Sequence, residues 1–350
     1  MIKEIPFQEI LHEASREGGE FADLFFEQTH SIVIICEEDR IEKVVSGLDG
    51  GAGLRILFEG RTIYGFTNQV SKEALFDLAK RMSRAVKEER EGREINLAHH
   101  TQSLISSHQI LNPPFTIMKH PEGLSIGEKV SAVKRANDVA RRLDHHVRQV
   151  KVLYRDFTQI LSIGNSEGVS VEGERVGTIL SVQVVCADGD RVQTGYEPVG
   201  GTMGFELFDL HPPEGVAEVA TKRSLLMLGA RKAPMGRMTV VLSSEAGGTM
   251  IHEAIGHGLE ADLAQQGLSV YSKKIGERVA SPLITVVDDP TLPQKRGSYA
   301  FDDEGVPSRK TVLVQEGILK GYLYDRLTAL KDRVKSTGNG RRQSYHFRSI

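Results

Sequence analysis

Residues 147–197 constrain the fold most. Apolar and β-branched side chains alternate with polar ones through Val150, Val152 and Tyr154, then over 158–163, 168–171, 176–186 and 191–197. Turn signals interrupt the pattern at Gly164-Asn165 and Asp188-Gly189-Asp190. A period of two with short polar turns specifies antiparallel strands that pair with their neighbours in sequence. A sheet with one apolar face must then be covered by other elements.

Further strands are expected at 21–26, 31–36, 54–58 and 61–66, with 40–46 pairing against the second of these. Glu59-Gly60 is a two-residue hairpin signal. Gly50-Gly51-Ala52-Gly53 reads as a tight turn rather than a phosphate loop, because a hairpin and not a helix N-terminus follows it. Helical spacing marks 6–17 (Phe7, Ile10, Leu11, Ala14), a capped run from Ser71 (Ala74, Leu75, Leu78, Met82, Val86), 124–143 (Val130, Val133, Ala136, Ala140), and 213–228 after Pro212. Residues 92–122, with His99, His100, His108 and His120, show no period and read as a long solvated connection. The reading is α+β. At 350 residues the chain exceeds what one core usually serves. The expected division is an N-terminal domain, 1–232, with an antiparallel sheet and helices. A mainly β C-terminal domain, 233–350, incomplete here, would carry the helix described next.

That helix holds the chemistry. A β-branched run, Met238-Thr239-Val240-Val241-Leu242, is expected to be a strand; Ser243 to Gly248 follows as a capped turn, and then His252-Glu253-Ala254-Ile255-Gly256-His257-Gly258-Leu259-Glu260-Ala261-Asp262. Zinc takes neutral imidazoles and works beside a carboxylate that handles protons. His252 and His257 can supply the first and Glu253 the second. The familiar His-Glu-x-x-His motif places its histidines four apart on one helical face. Here the spacing is five, about 140° apart on a regular helix. A one-residue π-bulge would bring them together, and Gly256 and Gly258 make the backbone permissive. Glu260 and Asp262 are candidates to accept the imidazoles' other N–H, since ligating histidines usually have such a partner.

His252 to Glu260 also resembles the mark of the TldD (PmbA-type) metallopeptidases, His-Glu-Ala-x-Gly-His-Gly-Leu-Glu. Other stretches match in order: 21–27, 276–281, 286–290, 302–307, 317–322 and 338–342. The resemblance implies a cytoplasmic, Zn2+-dependent peptidase of unfolded or extended peptides, with His252 and His257 as ligands and Glu253 as base. It implies an oligomer too, a homodimer or a heterodimer with a related TldE/PmbA-type subunit that lacks the metal motif. In the family a further C-terminal stretch carries a cysteine thiolate as third ligand, and this chain has no counterpart of it. An alternative reading is therefore a non-catalytic, peptide-binding partner subunit; a metal-dependent hydrolase of non-peptide bonds is a third.

Bulk properties narrow the partners. A net charge of −3 and a pI near 6.5 give no field that gathers nucleic acid or anionic lipid. No secretory leader and no apolar run of bilayer length is visible, so neither nucleic acid nor membrane is expected. Cys36 and Cys186 are too few for a disulfide framework, which suits a reducing cytoplasm, and Cys186 is expected to be a buried thiol. Asp302-Asp303-Glu304-Gly305 reads as acidic support for the metal ligands or simply as a turn, with spacing favouring the turn, and Arg341 and Arg342 read as either carboxylate anchors or tail residues.

Overall fold

The computed structural model describes residues 5–91, 107–110 and 116–350. In chain order the first part comprises α1 (Phe7–Ala14), β1 (Phe21–Glu37), β2 (Arg40–Phe58), β3 (Arg61–Thr67), α2 (Lys72–Glu91), β4 (Ser107–Ile110), α3 (Ile126–Leu143), β5 (Val147–Asn165), β6 (Val169–Asp188), β7 (Arg191–Gly201), α4 (Leu207–Leu210) and α5 (Pro213–Leu228). The seven strands form one sheet, ordered β3-β2-β1-β5-β6, with β7 and β4 sharing the far side of β6. β7 pairs antiparallel over Thr178 to Asp188 and β4 parallel over Val169 to Glu172. The α+β class and the antiparallel meander are as the alternation requires.

Strands expected as separate pieces are continuous. The 21–26 and 31–36 segments are one strand of 17 residues, and 40–46 joins 54–58 across the glycine run in a strand of 19. The glycine run is thus no turn. A Cβ at Gly51 would collide with the Tyr345 ring, and one at Gly53 with the Tyr64 hydroxyl. The glycines admit a distant part of the chain close to the strand, a long-range need that local turn statistics cannot reveal. The Glu59-Gly60 hairpin forms as expected, both residues at positive φ. The 92–122 connection also differs, since Ser107–Ile110 pairs with β6. His99 and His100 lie outside the described residues.

One face of the sheet carries the helices. α1 and α2 bury Ala22, Leu24, Phe26, Leu54 and Ile56, while α3 and α5 bury Ile32, Ile34, Val152, Val182 and the free thiols of Cys36 and Cys186. α3 starts with a capping box between Ser125 and Glu128. Beneath it the Lys129 ammonium reaches Asp156 at 2.6 Å, fully buried and therefore paired.

The second part comprises α6 (Ser244–Ile251), α7 (Ala261–Gln265), β8 (Val286–Asp288), β9 (Thr311–Gln315), β10 (Ile318–Leu319) and α8 (Arg326–Asp332). The strands form a small sheet ordered β10-β9-β8. The hairpin across Gln315-Glu316-Gly317 forms as expected, whereas the 279–288 strand shrinks to Val286–Asp288. The expected strand Met238 to Leu242 is absent. Val241 is 98% exposed there, with no strand alongside to take up its backbone hydrogen bonds.

The two parts meet on the sheet face opposite the helices, where Phe301 and Tyr345 pack on Phe25, Leu161, Ile163 and Val171. Charge reinforces the contact. Arg55, wholly buried, donates Nε to Asp23 at 2.8 Å and pairs Nη1 with Glu304 at 2.6 Å. Arg342 reaches the other Asp23 oxygen at 2.5 Å, and Asp303 takes Arg175 at 2.6 Å and Arg341 at 3.1 Å. Asp302 to Gly305 is indeed a turn, closed by Asp302 N–H to the Val306 carbonyl, but its three carboxylates are buried. Arg341 and Arg342 therefore anchor carboxylates of the protein itself. Burial alone pulls the Arg55 pKa down, yet Asp23 and Glu304 together outweigh it and the net shift is upward.

Removing one partner of a buried pair strands the other charge, at a cost of about 3–5 kcal/mol. Arg55→Met is expected to lower the urea-unfolding free energy by about that much. Arg16→Gln, which breaks only an exposed 4.0 Å contact with Glu13, should stay within about 0.5 kcal/mol. Equal effects of the two substitutions would show that the buried cluster does not hold the parts together.

Candidate metal centre

The metal motif begins at a cap. The Ser243 hydroxyl accepts the Ala246 N–H and opens α6, which runs to Ile251. From His252 to Gly256 the backbone is a π-turn, and His257–Leu259 is a 3-10 turn. The His257 N–H donates to the His252 carbonyl, an i→i+5 bond that closes the π-turn across the two histidines. The imidazole rings consequently stand 4.7 Å apart, centroid to centroid, at 71°. Ligand atoms of His252, Glu253 and His257 all lie within 4.8 Å of one another.

All three side chains are exposed, so the turn is fixed from behind. Leu259 is fully buried with Leu313, Leu319 and Tyr322. Its carbonyl accepts the Leu323 N–H at 2.8 Å, and the Leu323 carbonyl accepts the Ala261 N–H at 2.9 Å. Gly258 fits because a Cβ there would press to 3.0 Å on the Tyr271 ring, and its carbonyl accepts the Ser269 hydroxyl at 2.5 Å. Sequence reading did not single out Ser269, Tyr271 or Leu323. Each acts across a loop, and no local spacing announces it.

Glu260 and Asp262 are placed differently. Glu260 Oε1 is 2.8 Å from His257 Nδ1, leaving Nε2 on the side of Glu253, 3.9 Å from Oε2. Asp262 instead accepts the Leu263 N–H at 2.8 Å. The hydrogen bond and charge of Glu260, with a smaller contribution from Glu253, raise the His257 pKa above its ordinary 6.5. His120, from the histidine-rich connection, pairs with Glu174 at 3.4 Å. A second group with converging donors, Asp144, His145 and His146, sits in the turn after α3; its only sequence signal is three successive polar residues at a helix end.

The fold and this turn define an α+β protein with a candidate His-Glu-His metal centre. Family models described as PmbA/TldA metallopeptidase domain 1, central domain and C-terminal domain match residues 22–86, 119–228 and 235–350. A "Metalloprotease TldD homolog" of Buchnera aphidicola is 33% identical over 344 residues, covering 96% of this chain and 69% of that protein. A "Zinc metalloprotease TldD homolog" of Saccharolobus solfataricus is 26% identical over 341 residues, covering 97% and 72%. The crystal structure of TldE from Thermococcus kodakarensis shares the fold, with a TM-score of 0.76 at 17% identity over 98% of this chain and 75% of that one. The chain belongs to the PmbA/TldA metallopeptidase family. No helix among the described residues is long and apolar enough to cross a membrane.

Because the folded His257 pKa is raised, the contact with Glu260 stabilises the protein fully below the ring's ordinary pKa and loses that contribution as pH rises through the folded value. In metal-free protein, Glu260→Gln is expected to move the His257 titration, followed by ring NMR signals, down toward 6.5. An unchanged midpoint would show that the carboxylate does not act on the ring.

Proposed function

We propose that the chain is a zinc-dependent peptidase in which His252 and His257 hold the metal and Glu253 is the general base. The observation that carries this reading is the π-turn, which turns a five-residue spacing into a pair of converging imidazoles beside a carboxylate. The donor set fits zinc: two neutral nitrogens with a carboxylate within reach. The zinc named for the S. solfataricus relative supports the same metal. A bound Zn2+ supplies Lewis acidity toward water and a carbonyl oxygen. Glu253 takes the proton of the attacking water and later gives it to the leaving amine. Glu260 keeps the His257 proton on Nδ1, so that Nε2 presents its lone pair.

Two imidazoles are fewer than the three protein ligands usual for catalytic zinc. In this reading the third is the family's cysteine, carried by a stretch beyond the matched residues. Unfolded or extended peptides are the substrate class, and the edge of the small sheet at β8 can grip a peptide backbone while tolerating many side chains. A related TldE-type chain or a second copy is the partner, and the cytoplasm is the compartment. Exposure of all three motif side chains favours a second reading, a peptide-binding subunit that does not catalyse, because an open two-ligand site holds zinc weakly.

Elemental analysis and cleavage of an unfolded substrate separate the readings. The peptidase reading expects stoichiometric zinc, activity lost with a chelator, and a fall of about 10²–10⁴-fold in kcat for Glu253→Gln with zinc retained. Glu260→Ala should weaken zinc binding about 10–100-fold. No zinc and no cleavage, with peptide binding intact in both Glu253→Gln and the parent, would leave the subunit reading.

A further inference from the structure

Away from the metal turn, His30 on β1 joins two groups from other parts of the chain. Its Nδ1 is 3.3 Å from Glu122 Oε1, and its Nε2 is 3.0 Å from Ser46 Oγ. The strand register accounts for the second contact. His30 faces Leu48 on β2, and Ser46 lies two residues before Leu48, hence on the same face and diagonally opposite the ring. Glu122 comes from the 3-10 turn Pro121–Gly123 that leads into α3, where its N–H donates to His120 Nδ1 at 3.3 Å.

The surroundings are open and partly apolar. Phe26 is the last residue of β1 buried beneath α1 and α2, and Ile32 the first beneath α3 and α5, so His30 stands in the gap between the two helix groups. Val44 and Leu48, two residues either side of Ser46 and on its face, are 42% and 67% exposed. The serine hydroxyl is thus flanked by two apolar side chains that no described element covers.

A histidine held at Nδ1 by a carboxylate and at Nε2 by a serine hydroxyl is the arrangement that makes serine a nucleophile, on whatever fold it occurs. We propose that Ser46, His30 and Glu122 form a second, metal-independent site that hydrolyses esters of apolar acyl groups. Ser46 Oγ bonds to the acyl carbon as its proton passes to His30 Nε2. The acyl–oxygen bond to the alcohol breaks, and the alcohol leaves with the proton from His30. Water then attacks the acyl-serine and gives its proton to His30, the acid departs, and the proton returns to Ser46 Oγ. The sum is ester and water to acid and alcohol. Glu122 holds Nδ1–H throughout, and the acyl chain lies along Val44 and Leu48.

The test uses the full chain stripped of metal by a chelator, an alkyl fluorophosphonate probe with adducts mapped by mass spectrometry, and p-nitrophenyl butyrate hydrolysis. One adduct is expected, at Ser46, together with chelator-insensitive turnover. Both disappear in Ser46→Ala, and both are the same in the parent before and after chelator treatment, which separates this site from the metal turn. General-base assistance is worth about 10²–10⁴-fold, so His30→Gln should slow labelling by at least about tenfold. Labelling of the parent no faster than of Ser46→Ala, or slowing by His30→Gln below about tenfold, overturns the proposal. Unchanged thermal unfolding of the variants, all at partly exposed positions, confirms that chemistry and not folding is read.

Discussion

A buried guanidinium between two carboxylates sets the geometry of the whole molecule. Arg55 lies on β2, Asp23 on β1, and Glu304 some 250 residues further along the chain. None of the three can leave water alone without a cost of several kcal/mol. The arrangement is tolerable only when the second part is seated on the sheet in one register, with Arg342 completing the Asp23 carboxylate and the Asp303 pair with Arg175 alongside. Apolar contact through Phe301 and Tyr345 supplies attraction, but attraction between apolar faces permits sliding. Paired buried charges do not permit it.

From this cluster a chain of contacts runs to the turn that carries His252, Glu253 and His257. Glu304 Oε2 accepts the Arg326 N–H at 2.7 Å, at the start of α8. Asp325 caps that helix through the Thr328 N–H, and the Thr328 carbonyl accepts Gln265 Nε2 from α7. Leu323, two residues before Asp325, clasps Leu259 and Ala261 on either side of Glu260. Glu260 in turn holds His257 through a 2.8 Å contact at Nδ1. The histidine pair is open to solvent, yet its backbone is tied within a few hydrogen bonds to fully buried groups. Rigidity reaches the site through the main chain rather than through burial of the side chains themselves.

What was legible in the sequence is what depends on neighbours. Alternation over 147–197, the Ser71 cap, the Glu59-Gly60 hairpin and the need for a π-turn between His252 and His257 all rest on contacts within a few residues. The misreadings share the opposite property. Gly51 and Gly53 pass for a turn until Tyr345 and Tyr64 are seen against them, from positions far along the chain and across a hairpin respectively. Asp302 to Gly305 is the turn its composition announces, and only the burial of its carboxylates against distant arginines went unannounced. Met238 to Leu242 has the composition of a strand but no neighbour to pair with. The Ser46–His30–Glu122 grouping also lay beyond reach, because it needs both the ladder register and the return of the chain at Pro121.

Carboxylates illustrate how water sorts identical groups into different roles. Burial pushes Asp302 and Glu304 toward the protonated form, the first abetted by the charge of Glu304, the second opposed by Arg55. Asp303, equally buried, goes the other way: desolvation is outweighed by Arg175, Arg341 and the Arg342 N–H, so it stays ionised. Such groups fix architecture, since each is bound to a partner that it cannot leave. Glu253 and Glu260 sit at the surface instead, Glu253 open to water and Glu260 against His257 Nδ1. On this turn the backbone is held from behind while the carboxylates stay open to water.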